Sequence, residues 1–115
     1  MKKSLVTYLA PTSVIDEWKK TEPTKRKQEE EKMQGEWRKW MGDHKKVFAD
    51  AGAGVGKTKR VTQQGTTDTR NDVMLYSVVE ADSHEAAAKT FEGHTDLQIP
   101  RSSIEVMEIN PLQGM

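Results

Sequence analysis

The sequence contains no cysteine. Disulfide bonds are therefore excluded, and so are thiolate metal ligands and a cysteine nucleophile. There is also no excess of charge, because 18 Lys and Arg residues balance 18 Asp and Glu residues. Proteins that bind nucleic acid through its phosphates usually carry a surplus of basic residues. We therefore expect no nucleic-acid partner.

Long apolar runs are absent too. A membrane-spanning helix needs about 20 apolar residues, and no stretch of this sequence comes near that. Residues 1–10 carry two lysines and then a short apolar run, whereas a secretory signal needs roughly 7–15 apolar residues in succession. We expect a cytoplasmic protein without a membrane partner. Its length of 115 residues suits a single domain, residues 1–115.

Histidine is the remaining common metal ligand, and the chain has three, His44, His84 and His94. No two of them have the i, i+4 spacing with which a helix presents paired metal ligands. The sequence therefore predicts neither a metal site nor a cofactor.

Apolar and β-branched residues predict strands at residues 3–10, 47–49, 72–81 and 103–110. Helical patterns predict a short helix from residue 14, a long helix at about residues 23–44 and a third that ends at Gly93. Ser13 with Asp16, and Asp82 with Glu85, have the spacing of helix-capping boxes.

The middle of the chain has few apolar residues. Gly52, Gly54 and Gly56 predict a tight turn, residues 57–63 an extended arm, and residues 65–71 a polar loop without a core face.

This glycine-rich segment also resembles a phosphate-binding loop, because Gly56-Lys57-Thr58 follows an alternation of Ala and Gly. Such a loop needs a helix that begins at the Lys-Thr pair, since the helix N-terminus supplies the amide donors. Residues 59–65 include β-branched Val61 and Thr62 and end in a glycine, so they do not favour a helix. We therefore reject a nucleotide site and predict a hairpin or bulge.

The order of predicted elements, βαββαβ, is typical of the ferredoxin-like α+β fold, in which an antiparallel sheet carries both helices on one face. The strand at residues 72–81 is nevertheless apolar on both sides, with Val73, Leu75 and Val79 on one and Met74, Tyr76 and Val78 on the other. A bare apolar sheet face is unusual in a soluble monomer. We therefore expect a homodimer that packs sheet against sheet.

Two groups of residues are candidates for a site between the long helix and the sheet. His94 and Asp96 lie on a connecting segment, where a histidine beside a carboxylate can transfer protons near neutral pH; the same pair can also simply cap a turn. Trp37, Trp40 and Met41 form an aromatic stripe along the long helix, typical of a core and also able to line a pocket. With Tyr8, these residues predict a cleft lined by Tyr8, Trp37, Met41, His94 and Asp96.

The stretch EADSHEAA at residues 80–87, Gly93-His94, and IEVMEI at residues 104–109 resemble the YCII-related family of the dimeric α/β-barrel superfamily. The resemblance covers about residues 70–112 well and the preceding residues loosely. It implies a ferredoxin-like subunit whose sheet packs on that of a partner. It also implies a His–Asp pair in the cleft: the Asp side falls near residues 94–96, whereas the His side falls at Gln34 and Gly35, where this chain has no histidine.

Two functions remain open from the sequence. One is a cleft that binds a small molecule, either for binding alone or for cofactor-independent catalysis of the isomerase or monooxygenase type by His94 and Asp96. The other is a non-catalytic dimeric module that binds a protein partner or a regulatory ligand.

Overall fold

The computed structural model describes residues 1–112, which form a mixed α+β structure. Within this part of the chain the strands are β1 (Lys2–Leu9), β2 (Phe48–Gly54), β3 (Thr58–Thr62), β4 (Gly65–Thr69), β5 (Val73–Ala81) and β6 (Ser103–Glu108). The helices are α1 (Thr12–Lys19), α2 (Pro23–Asp43) and α3 (His84–Thr90), with 3-10 turns at Lys45–Val47 and Thr95–Gln98.

Four strands form the main sheet in the order β2-β5-β1-β6, and all three neighbouring pairs are antiparallel. β1 and β5 occupy the centre of the sheet. β6 and β2 lie at the edges, and β2 contains irregularities in its pairing with β5.

The long helix α2 begins where Pro23 was expected to begin it. The side chain of Glu22 accepts hydrogen bonds from the backbone amides of Thr24 and Lys25, both at 3.0 Å, and so satisfies two donors that the first turn leaves free. Pro23 lacks an amide hydrogen, so it loses nothing at the first helical position.

Both predicted capping boxes are wrong. α1 starts at Thr12 after Pro11 and has no side-chain cap, so Ser13 lies inside the helix. α3 is capped by Ser83, whose Oγ accepts from the amide of Ala86 at 3.0 Å. Ser83 has the extended backbone conformation of a cap residue, one position later than Asp82.

The core lies on one face of the sheet. Val6, Tyr8 and Val79 are fully buried there, and they pack with Phe91, which follows α3, and with Trp37 of α2. The rings of Trp37 and Phe91 both meet that of Tyr8 edge to face, with centroids 5.5 and 6.0 Å away. α2 and α3 therefore cover the same face.

The opposite face of the sheet carries apolar side chains outside that core. Leu5 pairs with Val78 on β5 and with Met107 on β6, and these residues alternate along the strands with the buried ones. Leu5 and Val78 are half-buried and Met107 is 43% exposed. The sequence also predicted Met74 on this face. Met74 instead packs against the core, because the pairing of β1 with β5 shifts register between Tyr8 and Leu9.

β3 and β4 form a separate two-stranded arm. The extended segment at residues 57–63 was predicted, but the expected polar loop at residues 65–71 is wrong, because Gly65–Thr69 pairs with β3 along its whole length. Nearly all side chains of the arm are exposed. The protein is therefore more extended than a compact domain of this length, with a radius of gyration of 16.2 Å against an expected value of about 13 Å.

Candidate functional site

A cavity of about 390 Å³ lies between α2, the edge strand β2 and the 3-10 turn Thr95–Gln98. This volume is within the range of small-molecule sites, roughly 300–1,000 Å³. The lining residues are mostly apolar or small: Met33, Gln34, Trp37, Met41, Ala51, Gly52, Ala53, Gly54, Leu75 and Asp96.

One wall of the cavity consists of four consecutive residues of β2, Ala51 to Gly54. Side chains of successive strand residues point to opposite faces, so a run of four lining residues means that the cavity meets the edge and backbone of the strand. The predicted turn at Gly52 and Gly54 is thus wrong, since both residues lie within β2. The alternative prediction of a bulge in this segment is confirmed, because the pairing of β2 with β5 shifts register between Asp50 and Ala53.

Gly52 fixes the path of this wall. Its φ is +86°, and a Cβ atom at this position would lie 1.6 Å from the carbonyl oxygen of Tyr76 on the neighbouring strand. Only glycine allows this conformation and this close approach without strain. The bulge that brings residues 51–54 to the cavity therefore depends on the missing side chain.

Tyr8 lies behind the cavity wall and is connected to it by hydrogen bonds. The hydroxyl of Ser77 donates to the carbonyl oxygen of Ala51 at 2.8 Å, so the hydroxyl of Tyr8, 3.0 Å from Ser77 Oγ, must donate to Ser77. Burial raises the pKa of Tyr8 to about 12, against the lowering effect of the Ser77 hydrogen bond and with a smaller contribution from the charge of Asp96. Tyr8 therefore stays protonated and holds β1, β5 and β2 in place.

His94 is 1% exposed and lies among aromatic rings. Its ring centroid is 4.4 Å from that of Trp40, 4.8 Å from that of Trp37 and 5.4 Å from that of Tyr8. Its Nδ1 accepts a hydrogen bond from the backbone amide of Asp96 at 2.9 Å. A neutral imidazole that accepts at Nδ1 carries its proton on Nε2, and within residues 1–112 this Nε2 has no hydrogen-bond partner.

The environment of His94 keeps it neutral. Burial is the main cause that lowers its pKa to about 4, and the charge of His44 lowers it further. The imidazole therefore caps the 3-10 turn as an acceptor, and near neutral pH it offers an N–H donor and has little basicity.

Asp96 is the carboxyl group that borders the cavity. It is 8% exposed, and its Oδ2 is buried without a hydrogen-bond partner among the described residues. Burial raises the pKa of this carboxyl group. Its backbone is held on both sides, since its amide donates to His94 and its carbonyl oxygen accepts from Ser102 Oγ at 2.8 Å. An unsatisfied buried acceptor costs about 1–3 kcal/mol.

The structure brings the five predicted site residues into one region, but in two layers. Trp37, Met41 and Asp96 line the cavity, whereas Tyr8 and His94 lie behind it and contact Trp37. The sequence argument missed the wall at residues 51–54, together with Met33 and Leu75. Gln34, which also lines the cavity, occupies the position at which the family resemblance implied a cleft histidine. Met33 could have been found, because it lies on the same helix face as Trp37 and Met41.

A larger groove of about 840 Å³ runs between α1, α2 and the segment from Gln98 to Arg101. Its lining includes apolar side chains of α1, Val14, Ile15 and Trp18, and charged side chains of α2. None of the unsatisfied buried polar atoms of the described residues belongs to this groove. The smaller cavity is therefore the better candidate site.

Lys57 and Thr58, the last residues of the phosphate-loop pattern, lead into strand β3. The helix N-terminus that such a loop requires does not follow them. Among residues 1–112, no group of three or more His, Asp and Glu side chains is arranged to hold a metal ion. No helix in this part of the chain is long and apolar enough to cross a membrane. The sequence matches no protein-family model and no curated protein at a significant level.

Proposed function

We propose that the protein is a homodimer that binds a small molecule in the cavity between α2 and the edge of the main sheet. The observation that carries this proposal is the cavity itself, about 390 Å³ in volume and lined by Trp37, Met41 and Asp96. Its walls are largely apolar, and two polar side chains border it, Gln34 and Asp96. The buried Oδ2 of Asp96 has no hydrogen-bond partner among the described residues. Small-molecule sites commonly combine an apolar lining with a few polar groups in this way.

We further propose that the subunit has the ferredoxin-like arrangement and belongs with the YCII-related proteins. The strand order β2-β5-β1-β6 with antiparallel neighbours supports the first point, as do two helices on one face. The residues that carry the YCII resemblance form β5, α3 and β6, consecutive elements of one region.

The dimer is proposed to form through the sheet face that carries Leu5, Val78 and Met107. These three side chains lie in one row across β5, β1 and β6. Covering them with the same face of a second subunit removes apolar surface from water, at a gain of about 25 cal/mol for each Å².

Native mass spectrometry of gently purified protein tests both parts of the proposal at once, because it reports the oligomer mass and any retained ligand. We expect a dimer that carries extra mass. A dimer without added mass, and without binding of any compound from a broad metabolite set, would contradict the cavity function.

Val78→Asp tests the interface. It places a carboxylate in the proposed contact, where an unpaired charge costs several kcal/mol, so we expect a monomer. Thr66→Asp on the exposed arm is the matched control and should leave the dimer intact. A Val78→Asp protein that remains a dimer would show that another surface forms the contact.

A cofactor-independent enzyme is the second candidate function, favoured by the raised pKa of the Asp96 carboxyl group next to a cavity. In that case Asp96 exchanges the proton with the substrate, and neutral His94 positions the Asp96 backbone. Asp96→Asn would then abolish turnover of the ligand identified by mass spectrometry and preserve its binding, whereas equal turnover by both proteins would reject catalysis by Asp96.

A further inference from the structure

The charges around the cavity restrict what it can hold. Among the described residues that line it, Asp96 is the one ionisable side chain, and none is a Lys, Arg or His. An anionic ligand would enter next to a carboxyl group without a cation to compensate it, and such an arrangement is strongly disfavoured away from water.

The hydrogen-bonding capacity points in the same direction. The buried Oδ2 of Asp96 has no donor among the described residues, and the backbone on either side of Asp96 is held by hydrogen bonds that leave the carboxyl group unpaired. Buried acceptors of this kind are normally satisfied, by protein, by water or by a ligand. Because the Asp96 side chain also lines the cavity, a ligand that donates to its carboxyl group supplies a donor that the described residues do not.

Apart from the amide of Gln34, the remaining walls are apolar and suit an apolar body. Trp37 offers an indole ring, and Met33, Met41 and Leu75 offer flexible aliphatic and thioether surfaces. On the opposite side, residues 51–54 present backbone and methyl groups without long side chains. A flat ring fits between an indole and such a wall, and methionine contacts adapt to aromatic edges.

We propose that the cavity binds an apolar, ring-sized molecule that donates one hydrogen bond to the Asp96 carboxyl group from a hydroxyl or an ammonium group, and that it rejects carboxylates and phosphates. This inference rests on the proposed function of the cavity and names its ligand class. A hydroxyl donor suits a protonated or an ionised Asp96, whereas an ammonium group also gains the ion pair and contact with the face of Trp37.

Three compounds with the same phenyl ring and short side chain test the inference: 2-phenylethanol, 2-phenylethylamine and phenylacetate. Binding is measured by calorimetry on the wild-type protein, and the indole N–H signal of Trp37 in NMR spectra locates it in the cavity. We expect the alcohol or the amine to bind at least about tenfold more tightly than the carboxylate. If the amine binds more tightly than the alcohol and this difference in affinity grows as the pH rises, the ammonium group is the donor that the site prefers. If the two affinities are equal, the positive charge adds nothing and a hydroxyl donor is sufficient.

Asp96→Asn is the variant that tests the role of the carboxyl group. An asparagine amide donates as well as accepts, so we expect the preference over phenylacetate to fall to less than about threefold. Asp82→Asn removes the same charge from an exposed position outside the cavity and should retain the wild-type preference.

The possible failures are distinct. If phenylacetate binds the wild-type protein as tightly as the alcohol and the amine do, the proposed ligand class is wrong and the cavity keeps its function. An unchanged preference in a folded Asp96→Asn protein also overturns the role of Asp96. If none of the three compounds, nor ethylbenzene, shifts the indole N–H signal of Trp37 at concentrations up to the solubility limit of each compound, the cavity is not a ligand site. Both proposals then fail.

Discussion

The main sheet and the β3–β4 arm have the same antiparallel backbone pairing, but they differ in how far their side chains are buried. Both are built from antiparallel strands joined by hydrogen bonds along their length. β1 and β5 bury Val6, Tyr8 and Val79 against two helices, whereas nearly every side chain of the arm is exposed. Strand pairing alone is marginally stable in water, and packing of an apolar face provides most of the stability. Substitutions should therefore matter in the sheet and scarcely at all in the arm.

The largest effect is expected for Gly52→Ala. The new methyl group would overlap the Tyr76 carbonyl and force an unfavourable φ, at a combined cost of roughly 3–5 kcal/mol. Urea unfolding measures this loss. Gly56→Ala is the control, because a Cβ there meets nothing within 4 Å. If both variants lose the same stability, the contrast between the sheet and its exposed connection disappears.

His94→Asn tests the buried imidazole through the pH dependence of stability. Because the folded-state pKa of His94 is lowered to about 4, the unfolded chain binds a proton first as the pH falls below about 6.5. The unfolding free energy of the wild-type protein should therefore decline between pH 6.5 and 4, by about 3 kcal/mol at pH 4. The raised pKa of Asp96 acts in the opposite direction near the acid end of this window, because the folded state takes up that proton more readily.

Asparagine can still accept the Asp96 amide hydrogen bond, and it does not titrate. The variant should show a flatter curve from pH 6.5 to 4 by chemical denaturation. His84→Asn, at an exposed histidine, is the matched control. If the His94→Asn protein keeps the wild-type dependence of unfolding free energy on pH, His94 is not the residue that causes this dependence.

Tyr8→Phe removes a single hydroxyl from the core and leaves the ring. Ser77 then loses its donor while keeping its own hydrogen bond to Ala51, which should cost about 1 kcal/mol in unfolding free energy. Tyr76→Phe, on the opposite face of β5, should cost less. A result near zero for Tyr8→Phe would show that the connection from β1 to β2 adds nothing to stability.

The smallest effect is expected for Lys59→Ala on the arm. Lys59 forms an ion pair with Asp68 at 2.6 Å, with both side chains more than 60% exposed. Exposed ion pairs contribute about 0–1 kcal/mol, so thermal unfolding should change little. A large loss would show that the arm is part of the cooperative unit and would remove the distinction from which these predictions follow.

The parts of the fold that the sequence predicted correctly are those with a clear pattern of apolar side chains. The stretch that became β5 was recognised as an apolar, β-branched run, and the face of α2 was recognised from the helical spacing of Trp37 and Met41. β4 was missed because its residues are polar or glycine throughout, so no apolar side chain marks it as a strand that pairs with β3. The cap of α3 was placed at Asp82 because Asp and Ser both accept hydrogen bonds from the first turn, and only the backbone conformation selects Ser83.

The candidate site was predictable only in part. Trp37, Met41 and Asp96 were named from their residue types and their places along the chain. Residues 51–54 could not be, since alanine and glycine carry no functional group that marks them. Their contribution depends on the bulge at Gly52, which arises from pairing with a strand more than 20 residues later.

The same bulge has a consequence for how the cavity can be altered. A wall made of main chain and small residues is shaped by the side chains that it lacks, so we expect larger side chains at Ala51 or Ala53 to narrow the space available. One methylene changes selection between ligands by about 1–3 kcal/mol in a well-fitted apolar pocket. The cavity can therefore be graded in size along this single strand, one substitution at a time, while Asp96 on the opposite turn is left as it is.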